Sequence, residues 1–371
     1  MILKKICHLS SVHARGDDRI FTKECVSLAN AGYDVSFIVA DDKNDEVVNG
    51  VKIYGVKKIN STLKRIITIP NMLFIKAKQI DADIYHLHDP ELLPIGIKLK
   101  KLKKTVIFDS HEDVFKQLMS KTYLHPIMRY IVSLIYKFYE KKVVSKLDIV
   151  ISTTPDIYAK FRKWHSQVYL IRNFPILGEF AVNNKDVTKG NNVLYLGGIS
   201  KVRGIFEMVQ AIDLCKTNVR LKLAGQFFPQ SLKDEISKCK GWEKVDVLGF
   251  LDRKQISVLF QDIKVGLVTL LPTPNHISAL AVKMFEYMSA GIPVIASNFP
   301  MWKRIVDESK CGISVNPMEP QEIADAIDFL IYNPETAKEM GNNGSNAVKE
   351  KYNWALEEKT LLQAYQQIKI W

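Results

Sequence analysis

Three groups of residues in this chain of 371 have types and spacing that could do chemistry. The segment VLYLGGISKVRGIF (193–206) reads as strand, glycine turn, basic residues and helix. Gly197 and Gly198 let the backbone turn tightly, and Arg203-Gly204 opens a helix whose free N–H groups and dipole favour an anion. That describes a diphosphate cradle, but it equally describes an ordinary strand-to-helix turn, since neither a Walker loop nor a full G-x-G-x-x-G is present. In NHISALAVKMFEYMSAGIPVIAS (275–297), a loop with Asn275, His276 and Ser278 leads into a helix that stops at Gly291. Lys283 and Glu286 lie three apart on one face near its start, where an ammonium can hold a diphosphate and a carboxylate a ribose diol; a surface ion pair is the alternative. The third group is histidines at strand ends. YHLHDPELLP (85–94) carries His86, His88 and Asp89, and TVIFDSHED (105–113) ends on His111. His-x-His beside an Asp is also a metal-ligand pattern, but no further ligand spacing accompanies it, and no metal is expected. A strand-end histidine can also be a hydrogen-bonded structural residue. The loop SSVHARGDDRIF (10–21), with Arg15 and Asp17, borders the same strand ends and reads either as acceptor contact or as a solvated loop.

The elements that must position these groups alternate from end to end. Short apolar runs at 5–10, 34–39, 51–56, 84–88, 105–109, 149–152 and 168–171 predict strands, with amphipathic helices between them, the clearest at 20–30. The polar run NNKDVTKGNN (183–192) has almost nothing to bury and reads as a linker. A second series follows, with strands predicted at 193–196, 221–224, 245–248, 265–270, 294–296 and 312–315, then helices starting near Glu319, Pro334 and Trp354. Such alternation predicts an α/β protein of two doubly wound domains facing across a cleft, with ligands at the carboxyl ends of parallel strands.

Composition narrows the class. With 47% hydrophobic and 25% charged residues the chain is neither disordered nor fibrous, and its length suits two domains. Five scattered cysteines without a C-x-x-C pair argue against a disulfide framework. The start, MILKKICH, lacks a secretory signal pattern, and the uncharged run 265–282 contains Pro272 and Pro274; a cytoplasmic protein without a membrane span is expected. Of the net charge of +12, residues 51–150 hold 19 basic against 9 acidic side chains. That surplus points to an anionic partner. The segment 115–146 mixes Lys and Arg with Tyr, Phe, Ile and Leu at helical spacing, and its basic, aromatic flank reads either as a peripheral contact with an anionic membrane or as ordinary surface.

Taken in order, these motifs resemble those of glycosyltransferase family 4, the retaining GT-B enzymes that move a sugar from a nucleotide-sugar. YLGGISKVRGI resembles the family's glycine-turn G-x-x-x-x-K-G element, LKLAG (221–225) and VDVLGFL (245–251) the strands flanking the nucleotide, KMFEYMSAGIPVIAS the E-A-M-A-x-G-x-P-V-V helix, and IRNFP (171–175) the exit from the first domain. The resemblance implies that Arg203 contacts the donor phosphates, with Gly197, Gly198, Phe250, Ser278, Lys283 and Glu286 completing the nucleotide site and Glu286 on the ribose. The first Glu of the family's motif is replaced by Ser278, and its glycine-turn Arg by Gly198; Lys283 supplies the missing charge. His111 faces the donor sugar, and Arg15, Asp17, His88 and Asp89 border the acceptor. The implied domains are 1–182 for the acceptor, a linker 183–192, 193–352 for the nucleotide-sugar, and a last helix, 353–371, returning to the first. A UDP-sugar donor, a lipid-linked glycan acceptor of capsule, O-antigen or exopolysaccharide, and no cofactor are expected. Two rivals are a nucleotide-sugar 2-epimerase of the same fold and a basic nucleic-acid binder; the latter lacks any recognisable reading motif, so no nucleic-acid partner is expected.

Overall fold

The computed structural model describes residues 4–59, 61–119, 125–180 and 190–368. They form two α/β units with parallel, Rossmann-like sheets: 1–173 with 356–371, and 174–355.

The first unit holds strands β1 (Lys5–Ser10), β2 (Asp34–Ala40), β3 (Glu46–Val48), β4 (Val51–Val56), β5 (Ile84–Leu87), β6 (Thr105–Ser110), β7 (Ile149–Ser152) and β8 (Val168–Leu170). Their order is β3-β4-β2-β1-β5-β6-β7-β8, all parallel except the hairpin strand β3. The sheet runs outward in both directions from β1 and β5, so its topological switch lies between those strands, the place where open α/β sheets bind ligands. Period-two alternation sorts their side chains. Cys7, Leu9, Tyr85 and Leu87 join the apolar core, leaving His8 and His86, paired across the sheet, on the other face.

The second unit holds β9 (Asn192–Leu196), β10 (Arg220–Ala224), β11 (Val245–Gly249), β12 (Val265–Val268), β13 (Val294–Ser297) and β14 (Gly312–Val315), ordered β11-β10-β9-β12-β13-β14. Its switch lies between β9 and β12. The three central strands β9, β12 and β13 are buried over nearly their whole length, as expected of strands covered by helices on both faces.

The units meet in sequence at Asn173 and Phe174, nine residues before the predicted boundary at 182. The reason is aromatic packing. Phe174 meets Phe285 and Phe180 meets Phe260 at ring-centroid separations of 4.7 and 5.1 Å, so residues that leave the first sheet are already core of the second unit. Most of the predicted linker 183–192, its residues 183–189, lies outside the described residues, and its last residue, Asn192, begins β9. At the other end the return begins at Leu356 rather than 353. The helix Trp354–Gln366 then packs on the first unit, through an Arg172–Glu357 ion pair of 2.7 Å and a Tyr365 hydroxyl bond to His86.

The predicted helix 20–30 starts earlier and winds differently. Asp17 caps it by accepting from the Arg19 and Ile20 amides, Asp18–Cys25 is wound as a π-helix, and Val26–Asn30 continues as α. The amphipathic stretch 115–146 forms helices Val114–Met119 and Pro126–Val144; 120–124 lie outside the described residues. Among the described residues no helix is long and apolar enough to cross a membrane. The five cysteines are free thiols.

Candidate active site

The glycine turn after β9 stands at the switch point of the second sheet. Gly197 has φ +116°, and a side chain there would come within 3.1 Å of Lys283 Nζ and 3.4 Å of Arg203 Nη1. The glycine therefore keeps open a small space that both cations border. Gly204, at φ +75°, lets the chain pass 2.3 Å (measured from an ideal Cβ) from the Thr269 carbonyl before the helix Ile205–Leu214 begins. Gly198 sits in the same turn, beside Arg203, and its carbonyl accepts from the Tyr195 hydroxyl at 2.9 Å.

Lys283 lies in the first turn of the helix Val282–Ser289. Its ammonium is buried, lies 3.9 Å from the centroid of the Tyr195 ring and has no hydrogen-bond partner. Burial first, and then the charge of Arg203, pull its pKa well below the usual lysine range, against an opposing pull from Glu286. Glu286, one turn on, is also buried and accepts from Arg253 Nη1 at 3.1 Å; Arg253 in turn pairs with Glu179 at 2.7 Å and lies over Phe180. Ser278 lies on a different element from Lys283 and Glu286. It ends the separate short helix Pro274–Ser278, and its hydroxyl donates to the Pro274 carbonyl at 3.0 Å. Phe250 follows β11 and is 73% exposed.

At the switch point of the first sheet, His111 is the accessible member of a largely buried polar group, its side chain 18% exposed. Its Nε2 lies 3.1 Å from Asp109 and 3.3 Å from His88 Nδ1. His88 Nε2 lies 2.8 Å from His8 Nδ1, and burial lowers the His88 pKa to about 4. Arg19 donates to Asp109 from Nε at 3.0 Å and from Nη2 at 2.8 Å, and lies 3.0 Å from Glu24. The π winding makes that last contact, because residues five apart then share a face; Asp18 and Lys23 meet the same way at 2.6 Å. Desolvation pushes the Glu24 carboxyl up despite Arg19.

The remaining acceptor candidates are engaged within the unit. Arg15 pairs with Asp41 and Glu46, fastening the loop after β2, and Asp17 is the helix cap. Asp89 accepts from the Ser10 hydroxyl and the Ser11 amide at 2.8 and 2.7 Å and faces His13 at 3.3 Å. His86 lies within β5, fully buried, rather than at its end.

Comparison with known proteins decides the family. Two family profiles tile the chain, Glycosyltransferase Family 4 over residues 21–174 and Glycosyl transferases group 1 over residues 179–347. The chain is a family 4 glycosyltransferase. It is 24% identical to an uncharacterized glycosyltransferase of Methanocaldococcus jannaschii over 88% of each chain. It is 23% identical to the alpha-D-kanosaminyltransferase of Streptomyces kanamyceticus over 47% of this chain and 45% of that one. Among solved structures it is similar to sucrose-phosphate synthase from Thermosynechococcus elongatus, with a TM-score of 0.79 at 20% identity over 98% of both chains. Anabaena HepE, solved with UDP and glucose, gives a TM-score of 0.76 at 14% identity over 98% of this chain and 100% of that one. These likenesses show the GT-B fold.

The glycosyltransferase thus gathers Gly197, Gly198, Arg203, Lys283 and Glu286 around one turn and one helix, and His88 and His111 around another strand end. Sequence reasoning passed over Tyr195, Arg253, His8, Glu24 and Asp109. A signal existed for His8: it is the one titratable imidazole within the uncharged buried run Ile6–Ser10 of β1.

Proposed function

We propose that this enzyme moves a sugar, with retention of anomeric configuration, from a UDP-sugar to a lipid-linked glycan acceptor of a cell-surface polysaccharide. One observation carries the reading: a buried ammonium without a partner stands with a guanidinium around an open glycine turn, at the switch point of a Rossmann-like sheet. A guanidinium beside a lysine that gains its proton when an anion arrives suits a diphosphate, whose negative charge grows as the bond to the sugar breaks. In this reading Arg203 and Lys283, with the turn's N–H groups, neutralise the leaving diphosphate, and no divalent metal takes part. Glu286 holds the ribose diol. The sugar C1–oxygen bond to the diphosphate breaks, the acceptor oxygen bonds C1 from the same face, and the acceptor proton passes to a departing phosphate oxygen. His111 faces the sugar, and His88 steadies it.

The acceptor side rests on a different observation. On the helix Pro126–Val144, Ile127, Tyr130, Ile135 and Phe138 are 64%, 53%, 63% and 69% exposed, at spacings that place them along one side, with Lys137, Lys141 and Lys142 close by. An apolar and aromatic stripe flanked by cations suits the surface of an anionic bilayer, where a lipid-linked acceptor resides.

Titration calorimetry with UDP, GDP and ADP tests the donor site; UDP should bind most tightly, and no binding by any of the three would reject the reading. A product assay separates the rivals, since an epimerase would isomerise free donor without an acceptor.

A further inference from the structure

Beneath His111, on the face of the first sheet away from its apolar core, four donor residues converge from three elements: His8 on β1, His86 on β5, His88 just past its end, and Glu24 on the π-helical turn. All four side chains are fully buried. The rings of His8, His86 and His88 crowd together, with centroids 4.4–5.1 Å apart. From this juxtaposition we propose that His8, Glu24, His86 and His88 bind a tetrahedral transition-metal ion of the zinc class, which fastens the helix at 18–30 to the switch point of the sheet.

Three features of the cluster argue for it. First, one ligand atom from each residue lies within 4.8 Å of those of the other three. The separations are 2.8 Å for His8 Nδ1 to His88 Nε2, which share a hydrogen bond, 3.9 Å for His88 Nε2 to Glu24 Oε2, and 4.0 Å to Glu24 Oε2 for His86 Nδ1, which also meets the Tyr365 hydroxyl at 2.8 Å. Ligands about 2.0–2.2 Å from a tetrahedral ion stand roughly 3.3–3.5 Å from one another, so these distances bracket the requirement and small side-chain rotations meet it. Second, the protein does not satisfy these groups itself. Glu24 Oε2, His8 Nε2 and His86 Nε2 lack a hydrogen-bond partner, while Glu24 Oε1 has only Arg19 at 3.0 Å, an unusual concentration of orphaned polar atoms in one buried place. Third, among the described residues one guanidinium, Arg19, faces two buried carboxylates, Glu24 and Asp109, the second of which also meets His111 Nε2 at 3.1 Å. A further cation is the natural complement. Three imidazoles and one carboxylate with no position left open form a closed set, which marks a structural rather than a catalytic ion. The ion lies in the first unit, whereas the cations proposed for the diphosphate lie in the second, so a metal-independent transfer and a metal-fastened fold are compatible.

The test uses the full chain purified without a polyhistidine tag. Mass-spectrometric metal analysis after gel filtration should find about one zinc per chain, and cobalt added to chelator-stripped protein should give the intense visible absorption of a tetrahedral site. Glu24→Gln, which keeps size and shape, should lose at least nine-tenths of the metal, while His125→Asn at an exposed position should retain it. Should Glu24→Gln fail to fold, the cobalt spectrum of the wild type decides alone. Less than a tenth of an equivalent together with no tetrahedral spectrum would overturn the proposal and leave the cluster to protons or water. Full metal content in Glu24→Gln would overturn it equally, by showing that the metal sits elsewhere.

Discussion

Replacing Lys283 by methionine should make the protein more stable and less active at once. The ammonium is buried and unpartnered, and a buried polar group in that state costs about 1–3 kcal/mol. Repulsion adds to this. Lys283 Nζ and Arg203 Nη1 lie 3.1 and 3.4 Å from one ideal Cβ position on Gly197, so they are no more than 6.5 Å apart, the sum of the two. At an effective dielectric constant near 20, two unit charges at that separation repel by roughly 2.6 kcal/mol, so a protonated Lys283 is strongly disfavoured until an anion arrives. Methionine fills a similar volume with no group to solvate. Stability should therefore rise by about 1–3 kcal/mol, and a domain of this size gains roughly 2–4 °C in melting temperature per kcal/mol. Turnover should fall about a hundredfold or more, the scale of losing one electrostatic stabiliser. The same residue sets a pH dependence. A bound diphosphate should raise the depressed Lys283 pKa, so binding is strongest below the free-protein value and weakens, up to tenfold per pH unit, as pH climbs toward the bound value. Among the described residues the ionisable groups against it are Tyr195, Arg203 and Glu286, and burial pushes the Tyr195 hydroxyl up, away from this range. Calorimetry with UDP at pH 7–9, in two buffers of different ionisation enthalpy, should show proton uptake in the wild type and none in the variant. A Lys283→Met protein that melts below the wild type, or an affinity slope that survives the substitution, would refute the reasoning.

Arg203→Ala should also cut turnover about a hundredfold, read from initial rates of donor consumption, and wild-type rates would remove Arg203 from the site. Gly204→Ala combines a positive φ with a Cβ 2.3 Å from the Thr269 carbonyl; chemical denaturation should show a loss of several kcal/mol, and a near-neutral result would mean the turn relaxes easily. Glu286→Gln should raise the apparent KM for the nucleotide-sugar at least tenfold, whereas an unchanged KM would reduce Glu286 to its ion pair with Arg253. Ile135→Glu with Phe138→Glu should abolish co-sedimentation with vesicles containing anionic phosphatidylglycerol and leave the melting temperature within a degree or two, because both side chains are already exposed; unaltered sedimentation would assign membrane contact to another surface.

The second unit's candidate site was legible because its residues are local in sequence. The glycine turn, the basic residues and the helix that follows are neighbours in sequence, and a parallel strand buried on both faces announces itself as an unbroken apolar run. Lys283 and Glu286 could be placed on one helix face by counting. What counting could not supply was that Glu286 meets Arg253, thirty-three residues away, or that Lys283 is left unpaired above Tyr195. The domain boundary failed for a related reason. Polarity marked 183–192 as the hinge, yet what assigns a residue to a unit is the core it enters, and Phe174 and Phe180 enter the second one. Motif alignment also could not show that Thr273 and Pro274 start a separate helix, on which the Ser278 hydroxyl bonds its own backbone.

The first unit shows a deeper limit. Read as α-helix, residues 19 and 24 fall on different faces, and Glu24 passes for a solvated carboxylate. Only the wider π turn brings it back to Arg19, and only the pairing of β1 with β5 puts His8 opposite His86. Neither fact is encoded in any single segment, so the buried cluster is a product of topology. This is also why it bears on function. A strand-end histidine can be steered only by what lies behind it, and behind His111 stand Asp109 and His88, themselves held by Arg19 and His8. Whatever fills the gap between Glu24 and the three imidazoles therefore sets how firmly that chain is braced. An ion there would make the position of His111 a consequence of folding, settled before any sugar arrives.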